Sequence, residues 1–421
     1  MALAQDGTEA EAEKVFDWNL QIVGATFLGN HSYFGESEGF YGVNTDNWSE
    51  GAFELGIKGR SSLGKGTFFG QLSGMGSKTW GDDASGLTVG LDRTSEFDIE
   101  QAHIGWRSGD SFSSLDMDAL TLMMGNFDYL VGSGLLLADG TADGGQRGGW
   151  YLSWRSAFRS SFLATLKSGT WKLDGFYLQG EGRGSDERVY AYGGDFEYEF
   201  ADTGLSTGLL YFKVPDQKVN DGAFRERYES LSLRGGWTAT DNLSFDGEYA
   251  YQSRPGTHPG GWYLKGAYQW NGTGWRPELS YRYARFDGDD LSTPGDEAFV
   301  PAAYGFTDYG TWVQGEISGN YPLGNSNIKS HMLRLALFPN NDLVLNAIYY
   351  DFTLDQPNIS GEPVGSTDWG DEINLVADYT INNQWFLSGV FGRLEPGQAA
   401  INWTGGDKSW TYFMLYARYT Y

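Results

Sequence analysis

The chain ends in YFMLYARYTY, residues 412–421. Phe413, Leu415, Ala417, Tyr419 and Tyr421 fall on one parity; Met414, Tyr416, Arg418 and Thr420 fall on the other. Successive side chains of a strand point to opposite faces, so this segment carries one face made only of apolar and aromatic residues. Two readings fit it. It is an edge strand docked in a soluble sheet, or it closes a barrel whose apolar face meets lipid. Soluble termini usually fray into water, and composition decides between the two.

Of the 421 residues, 40% are hydrophobic, and the formal net charge is −26. Mean hydropathy is −0.42. No stretch reaches the roughly 18 consecutive apolar residues that a membrane-spanning helix needs. Aromatics nevertheless make up 16% of the chain and glycine 61 residues, more than an average soluble domain carries. A transmembrane β-barrel has this profile, because only alternate residues meet lipid, the lumen is polar and aromatics gather at both interfaces. The chain has no cysteine, which removes thiol and disulfide chemistry and agrees with an envelope protein. Ala2-Leu3-Ala4 before Gln5 has the small-x-small form of a signal-peptidase site.

Net acidity argues against a nucleic-acid partner, since phosphates need a basic surface. The acids concentrate in GDDASG (81–86), DGTADGG (139–145) and FDGDDLSTPGDE (286–297). These read as solvated outer loops, or as acids bridged by divalent cations to lipopolysaccharide. Asp287, Asp289 and Asp290 form a weak calcium candidate that lacks the spacing and distal Glu of an EF-hand.

Alternating stretches recur along the chain, and their connections alternate short and long, as tight periplasmic turns and long extracellular loops do. LGKG (63–66), ADTG (201–204), NGTG (271–274) and PNND (339–342) are the Gly, Asn, Asp and Pro clusters of tight hairpins. Strands are expected at 16–29, 49–61, 66–78, 95–107, 118–127, 157–167, 170–181, 189–200 and 204–213. They continue at 226–238, 243–253, 261–270, 274–286, 328–338, 342–354, 370–381, 384–394 and 408–421. That makes an all-β chain with an 18-stranded antiparallel transmembrane barrel over 16–421, preceded by a periplasmic segment, 1–15. The connection near 108–117 is longer than other short turns. YGTWVQGEISGNYPL (309–323) resembles a strand, but counting it would make the total odd. It is assigned to a long extracellular loop, 287–327, as a hairpin above the membrane.

Parity supports the barrel. Ile373, Leu375, Ala377, Tyr379 and Ile381 alternate with Glu372, Asn374, Val376, Asp378 and Thr380. A β-sandwich alternates too, but 18 strands exceed what one sandwich usually holds. LVLNAIYYDF (343–352) is apolar on both parities, so its facing is open.

Catalysis has no motif to stand on. The four His residues show no ligand spacing and no G-x-S-x-G elbow is present, so neither an enzyme nor a cofactor is expected. Passive transport is expected instead. Parity places Lys58, Arg60, Arg234, Arg282, Arg334 and Arg418 inward, with Asp195, Glu197, Glu199, Asp246, Glu248, Glu278, Glu372 and Asp378. Arginine in a pore suits carboxylates and phosphates, which its fork pairs bidentately; equally, such pairs brace the wall. Tyr412 and Tyr416 stack on sugar rings or fill space. The expected partners are outer-membrane lipid, lipopolysaccharide and a hydrophilic solute, with a periplasmic or envelope protein as a further one. A sheath holding another envelope protein and an unselective diffusion porin stay open as alternatives.

Three stretches carry a family resemblance. They are FDIEQAHIGWRSGD (97–110) with LTLMMGNFDYLVGSGLLL (120–137), YRYARFDGDDLSTPGDEAFVPAAYGFTDYG (281–310) and HMLRLALFPNNDLVLNAIYYDF (331–352). Together they resemble the alginate-export family of 18-stranded outer-membrane barrels. The resemblance implies a passive export or diffusion channel for an acidic polysaccharide or oligosaccharide, with Arg282 and Arg334 the residues to matter most. Gly125-Asn126-Phe127 stands where the family tends to have Gly-Arg-Gln, so one basic wall residue is missing. The inward set also leans acidic where the family's pores are arginine-lined.

Overall fold

The structure, a computed structural model, describes residues 16–43, 46–141, 148–152, 154–181, 188–218, 224–225, 227–305 and 314–421. The expected N-terminal segment, 1–15, lies outside the described residues.

Eighteen strands form one antiparallel sheet in which each pairs with its neighbours in sequence. They are β1 (Phe16–Asn30), β2 (Asn47–Leu63), β3 (Gly66–Gly81), β4 (Ser95–Arg107), β5 (Leu120–Phe127) and β6 (Phe158–Ser168). Next come β7 (Trp171–Glu181), β8 (Arg188–Phe200), β9 (Leu205–Val214), β10 (Tyr228–Thr240), β11 (Leu243–Ser253) and β12 (Gly260–Gln269). The last are β13 (Glu278–Phe286), β14 (Ile328–Leu337), β15 (Leu343–Leu354), β16 (Asp368–Thr380), β17 (Trp385–Pro396) and β18 (Trp410–Thr420). β1 and β18 pair from Gln21–Thr420 to Asn30–Thr411 and close the sheet. Closure leaves no unpaired edge. The terminal aromatic completes the seam: the Tyr421 amide donates to Leu20 at 2.8 Å, and its ring stacks on Trp18 at 4.2 Å.

Short turns follow from side-chain chemistry. The Asn340 side-chain oxygen accepts from the amides of Asp342 and Leu343, and Asn382 does the same for Gln384 and Trp385. An Asn side chain that mimics a backbone turn makes a tight reversal cheap. β5 is the shortest barrel strand and has a kink. Gly125 holds φ +123, and a Cβ there would stand 2.1 Å from the Ala102 carbonyl oxygen, so only glycine fits.

The outward parity is the apolar one. Leu55, Ile57, Ile104, Leu209, Leu233, Leu264, Leu333, Leu375 and Leu415 are each 46–58% exposed. In water each would forgo part of the roughly 1.5–3 kcal/mol that burial of such a side chain yields; facing hydrocarbon it does not. Trp18, Trp237, Trp385 and Tyr421 project from the short-turn end and Trp80, Tyr192, Tyr211 and Tyr349 nearer the long-loop end, the two aromatic girdles of a spanning barrel.

The inward parity is not a plain polar lining. Ile348, Tyr350 and Phe352 of β15 point inward and are at most 1% exposed, while Tyr349 on the other parity is 43% exposed. LVLNAIYYDF is therefore apolar on both sides because one face meets lipid and the other meets loop. Part of the long loops folds into the barrel, including the 314–323 portion of the segment expected as a hairpin above the membrane. Gly315–Gly319 forms one π-helical turn whose five residues are all buried. Residues 309–313 of that segment lie outside the described residues.

Candidate pore

The first inward element leaves β5. Tyr129, Val131, Leu135, Leu136 and Leu137 are buried, which turns the backbone of 128–139 into the lumen. The Val131 amide donates to Leu137 at 3.0 Å and closes a turn. Its tip meets a second loop, 301–305. The Ala138 amide donates to Ala303 at 2.7 Å, the Ala303 amide to Leu136 at 3.0 Å, and the Gly305 amide to Gly134 at 2.9 Å. Small residues permit this approach: Gly134 holds φ +82, and a Cβ there would stand 2.9 Å from the Gly305 oxygen. The result is a two-segment ribbon inside the barrel, with every amide named here satisfied.

The ribbon is pinned to one wall. Tyr129 donates its hydroxyl to Asp174 at 3.1 Å and Ser133 donates to Glu248 at 3.3 Å. Burial first, and then the neighbouring Asp174 carboxylate, push the Tyr129 phenol well above its ordinary range, so it stays a donor. Behind it lies an ionic lattice. The pairing of β7 with β8 sets Asp174 opposite Asp195 and Lys172 opposite Glu197. Arg234 of β10 holds Asp195 at 2.7 Å and Glu197 at 2.9 Å, while Lys172 holds Glu197 at 2.8 Å and Asp174 at 3.5 Å. Like charges directly opposite each other destabilise a sheet, and the two cations offset that. Asp195 has a side-chain exposure of 0%, whereas Lys172 and Glu197 show 34% and 35%. A passing solute therefore meets the Lys172–Glu197 pair.

A second lattice sits on β4 and the entry to β6. Arg155 lies 3.5 Å from Glu96, 3.0 Å from Asp98, 3.3 Å from Glu100 and 3.1 Å from Glu181. Arg159 adds contacts to Glu100 at 3.3 Å and Glu181 at 3.0 Å. Glu100 also accepts from the amides of Ser156 and Ala157. Sequence reading missed this group. Its signal was available in Glu96, Asp98 and Glu100, which alternate with Phe97 and Ile99, but Arg155 lies in a loop where no period assigns a direction.

The opposite wall is occupied. Glu372 is 0% exposed and accepts from the amides of Ile317 at 2.9 Å and Ser318 at 2.8 Å. Trp369 donates its indole N–H to Ser318 at 3.2 Å. Glu372 thus holds the infolded turn and does not face open lumen. Arg282, 1% exposed, is likewise covered. Tyr412 and Tyr416 are 3% and 8% exposed and fill space: Tyr412 packs 6.0 Å from Tyr321, and Tyr416 lies 6.1 Å from Phe386.

The remaining candidates are spread along the wall. Arg334 pairs with Glu278 at 2.9 Å and donates to Asn346 at 2.9 Å. Asp246 lies 3.6 Å from Lys265, and Ser388 donates to Asp378 at 2.6 Å. The Arg418 guanidinium lies 5.2 Å from the Phe386 ring centre. Lys58 stands 3.9 Å from Asp17, and Arg60 and Glu199 are exposed near the short-turn rim. Asp287, Asp289 and Asp290 do not converge. They accept from the amides of Gly260, Glu297 and Ser292 respectively, and Ser292 holds the Asp290 carboxyl below its ordinary range. Among the described residues no group of three or more His, Cys, Asp or Glu side chains is placed to hold a metal ion.

No protein-family model matches the sequence, and no curated protein does. Solved structures do. The chain is similar to Pseudomonas aeruginosa OccK9 (OpdG) at 14% identity and a TM-score of 0.63, over 96% of this chain and 98% of that one. It is similar to Acinetobacter baumannii OccAB2 at 14% identity and 0.62, over 96% and 98%. It is similar to the outer membrane protein OprD from Pseudomonas aeruginosa at 14% identity and 0.57, over 97% and 94%. The alginate-export resemblance has no family match behind it. At such identities the likeness is one of fold, and with the lipid-facing belt it makes the chain a bacterial outer-membrane β-barrel of porin architecture.

Proposed function

We propose that the barrel is a passive channel for small hydrophilic solutes, and that its narrowest part favours cations. The observation that carries this reading is the ribbon of 134–139 and 303–305 lying against an acid-rich wall. In the lattice around Arg234 and Lys172, the carboxylates of Asp174, Asp195, Glu197 and Glu248 outnumber the two cations. In the lattice around Arg155 and Arg159, Glu96, Asp98, Glu100 and Glu181 again outnumber two. Each guanidinium there is already engaged by carboxylates, so both lattices carry a formal excess of negative charge, and in the first the exposed members are Lys172 and Glu197. Charges lining a pore set its selectivity in this way.

An acidic polysaccharide needs the reverse, cations left free for its carboxylates, together with room for a polymer chain. The ribbon inside the lumen also favours a channel over a sheath around a second protein. The test is uptake into proteoliposomes of three size-matched sugars: an amino sugar, a neutral sugar and a sugar acid. The amino sugar is expected to enter fastest, with alginate oligomers leaving its rate unchanged. Fastest entry of the sugar acid, or block by the oligomers, would overturn the cationic reading and restore the polyanion one.

A further inference from the structure

Among the described residues the lipid-facing surface holds four cross-strand glycine pairs: Gly24–Gly51, Gly59–Gly70, Gly175–Gly194 and Gly235–Gly247. Each removes two outward side chains at one level of the wall. At two of them the neighbouring side chains stand as walls beside the gap. A groove of about 540 Å³ lies over Gly235–Gly247, and one of about 410 Å³ lies over Gly59–Gly70.

The larger groove is walled by Leu233, Trp237, Phe245, Tyr249, Trp262 and Leu264. All of these except Trp262 are 39–58% exposed on the outward parity. Trp237 and Phe245 stack at 6.0 Å, with 26° between planes, and form a rigid end. The floor is backbone, because a Cβ on Gly235 would meet only the Ser206 carbonyl oxygen, at 3.7 Å. Trp237 stands three residues before the end of β10 at Thr240. At about 3.4 Å per residue the groove begins within roughly 10 Å of the short-turn rim, in the periplasmic leaflet, and climbs along β11 toward Tyr249.

Two occupants fit an apolar groove in hydrocarbon: a protein surface or a lipid chain. A stable protein interface engages roughly 20–30 residues on each side. This groove presents about half of that or less on its outward face. Without a hydrophobic driving force between apolar surfaces in lipid, association there rests on close packing, which a slot with a backbone floor and aromatic walls gives to a single chain. From this we infer that the Gly235–Gly247 groove is a binding site for one acyl chain of a periplasmic-leaflet phospholipid.

The test is native mass spectrometry of the folded barrel in detergent with phosphatidylethanolamine added. Gly235→Leu fills the floor. Gly175→Leu adds the same side chain at a glycine whose Cβ would meet nothing within 4 Å and which lines neither groove. Heat-modifiable migration on gels reports folding of both. The Gly235→Leu barrel is expected to bind one phospholipid fewer than wild type, with affinity at that site down roughly tenfold or more, and Gly175→Leu to match wild type. If Gly235→Leu fails to fold, Trp237→Ala, which opens the wall without adding atoms, carries the same expectation. Equal phospholipid binding by wild type and the groove variant, equal loss in both leucine variants, or preference for lipid A over phospholipid would overturn the assignment.

Discussion

The Ala138 amide donates to the Ala303 carbonyl at 2.7 Å, joining two loops far apart in sequence into one ribbon inside the barrel. The ribbon is what separates this barrel from an open pipe. Replacing Ala138 with proline removes the donor and forces a fixed φ on the tip. The local loss is about 1 kcal/mol for the bond, too small to unfold eighteen strands. The expected outcome is a larger, noisier single-channel conductance with unchanged heat-modifiable migration.

Lys172 and Glu197, 2.8 Å apart, are the exposed members of their lattice, so their substitution should move selectivity in opposite directions. Lys172→Gln removes a positive charge from an acidic patch and raises the cation preference. Glu197→Gln lowers it. The zero-current potential of each variant in a salt gradient gives the sign.

Arg234 plays another part. Its removal leaves Asp195 buried without its closest cation, and breaking a buried pair from one side costs roughly 3–5 kcal/mol. Arg234→Gln should therefore unfold at markedly lower urea concentration than Lys172→Gln. Arg155→Met should shift the midpoint in the same direction but by less, because Glu100 keeps Arg159 at 3.3 Å and the amides of Ser156 and Ala157.

Glu372 tests the infolded turn. Glu372→Ala leaves the amides of Ile317 and Ser318 without the acceptor they now share, at about 1–3 kcal/mol for each buried donor left unsatisfied. Glu372→Gln keeps one carbonyl oxygen and should lose less. Proteolysis within 314–323 on intact cells is the readout. The alanine variant should be cut, the glutamine variant less, and wild type least.

How much of this was legible in the sequence follows from where periodicity exists. The eighteen strands and the outward parity could be read because lipid demands an apolar residue at every second position, as in Leu375, Ala377 and Tyr379. The loops carry no such demand. Leu135, Leu136 and Leu137 are consecutive, and nothing in a run of three leucines says that it turns inward. Neither does Ile317, one apolar residue among Gly, Glu and Ser. The same infolding covers Glu372 and Arg282, which parity assigns to the inward face but whose burial depends on what lies over them. Tyr412 and Tyr416 were ambiguous between sugar platform and filler for the same reason. The arginine count was legible, but not the pairing of each arginine; cross-strand register, such as Asp174 opposite Asp195, decides that.

The proposed pore conducts, and its narrow part is acidic. Its most direct test is the zero-current reversal potential of the folded barrel in a planar bilayer under a potassium chloride gradient. A stable conductance whose reversal potential reports cation preference, reduced in Glu197→Gln, is the predicted result. Anion preference, or a barrel that carries no current, would contradict it.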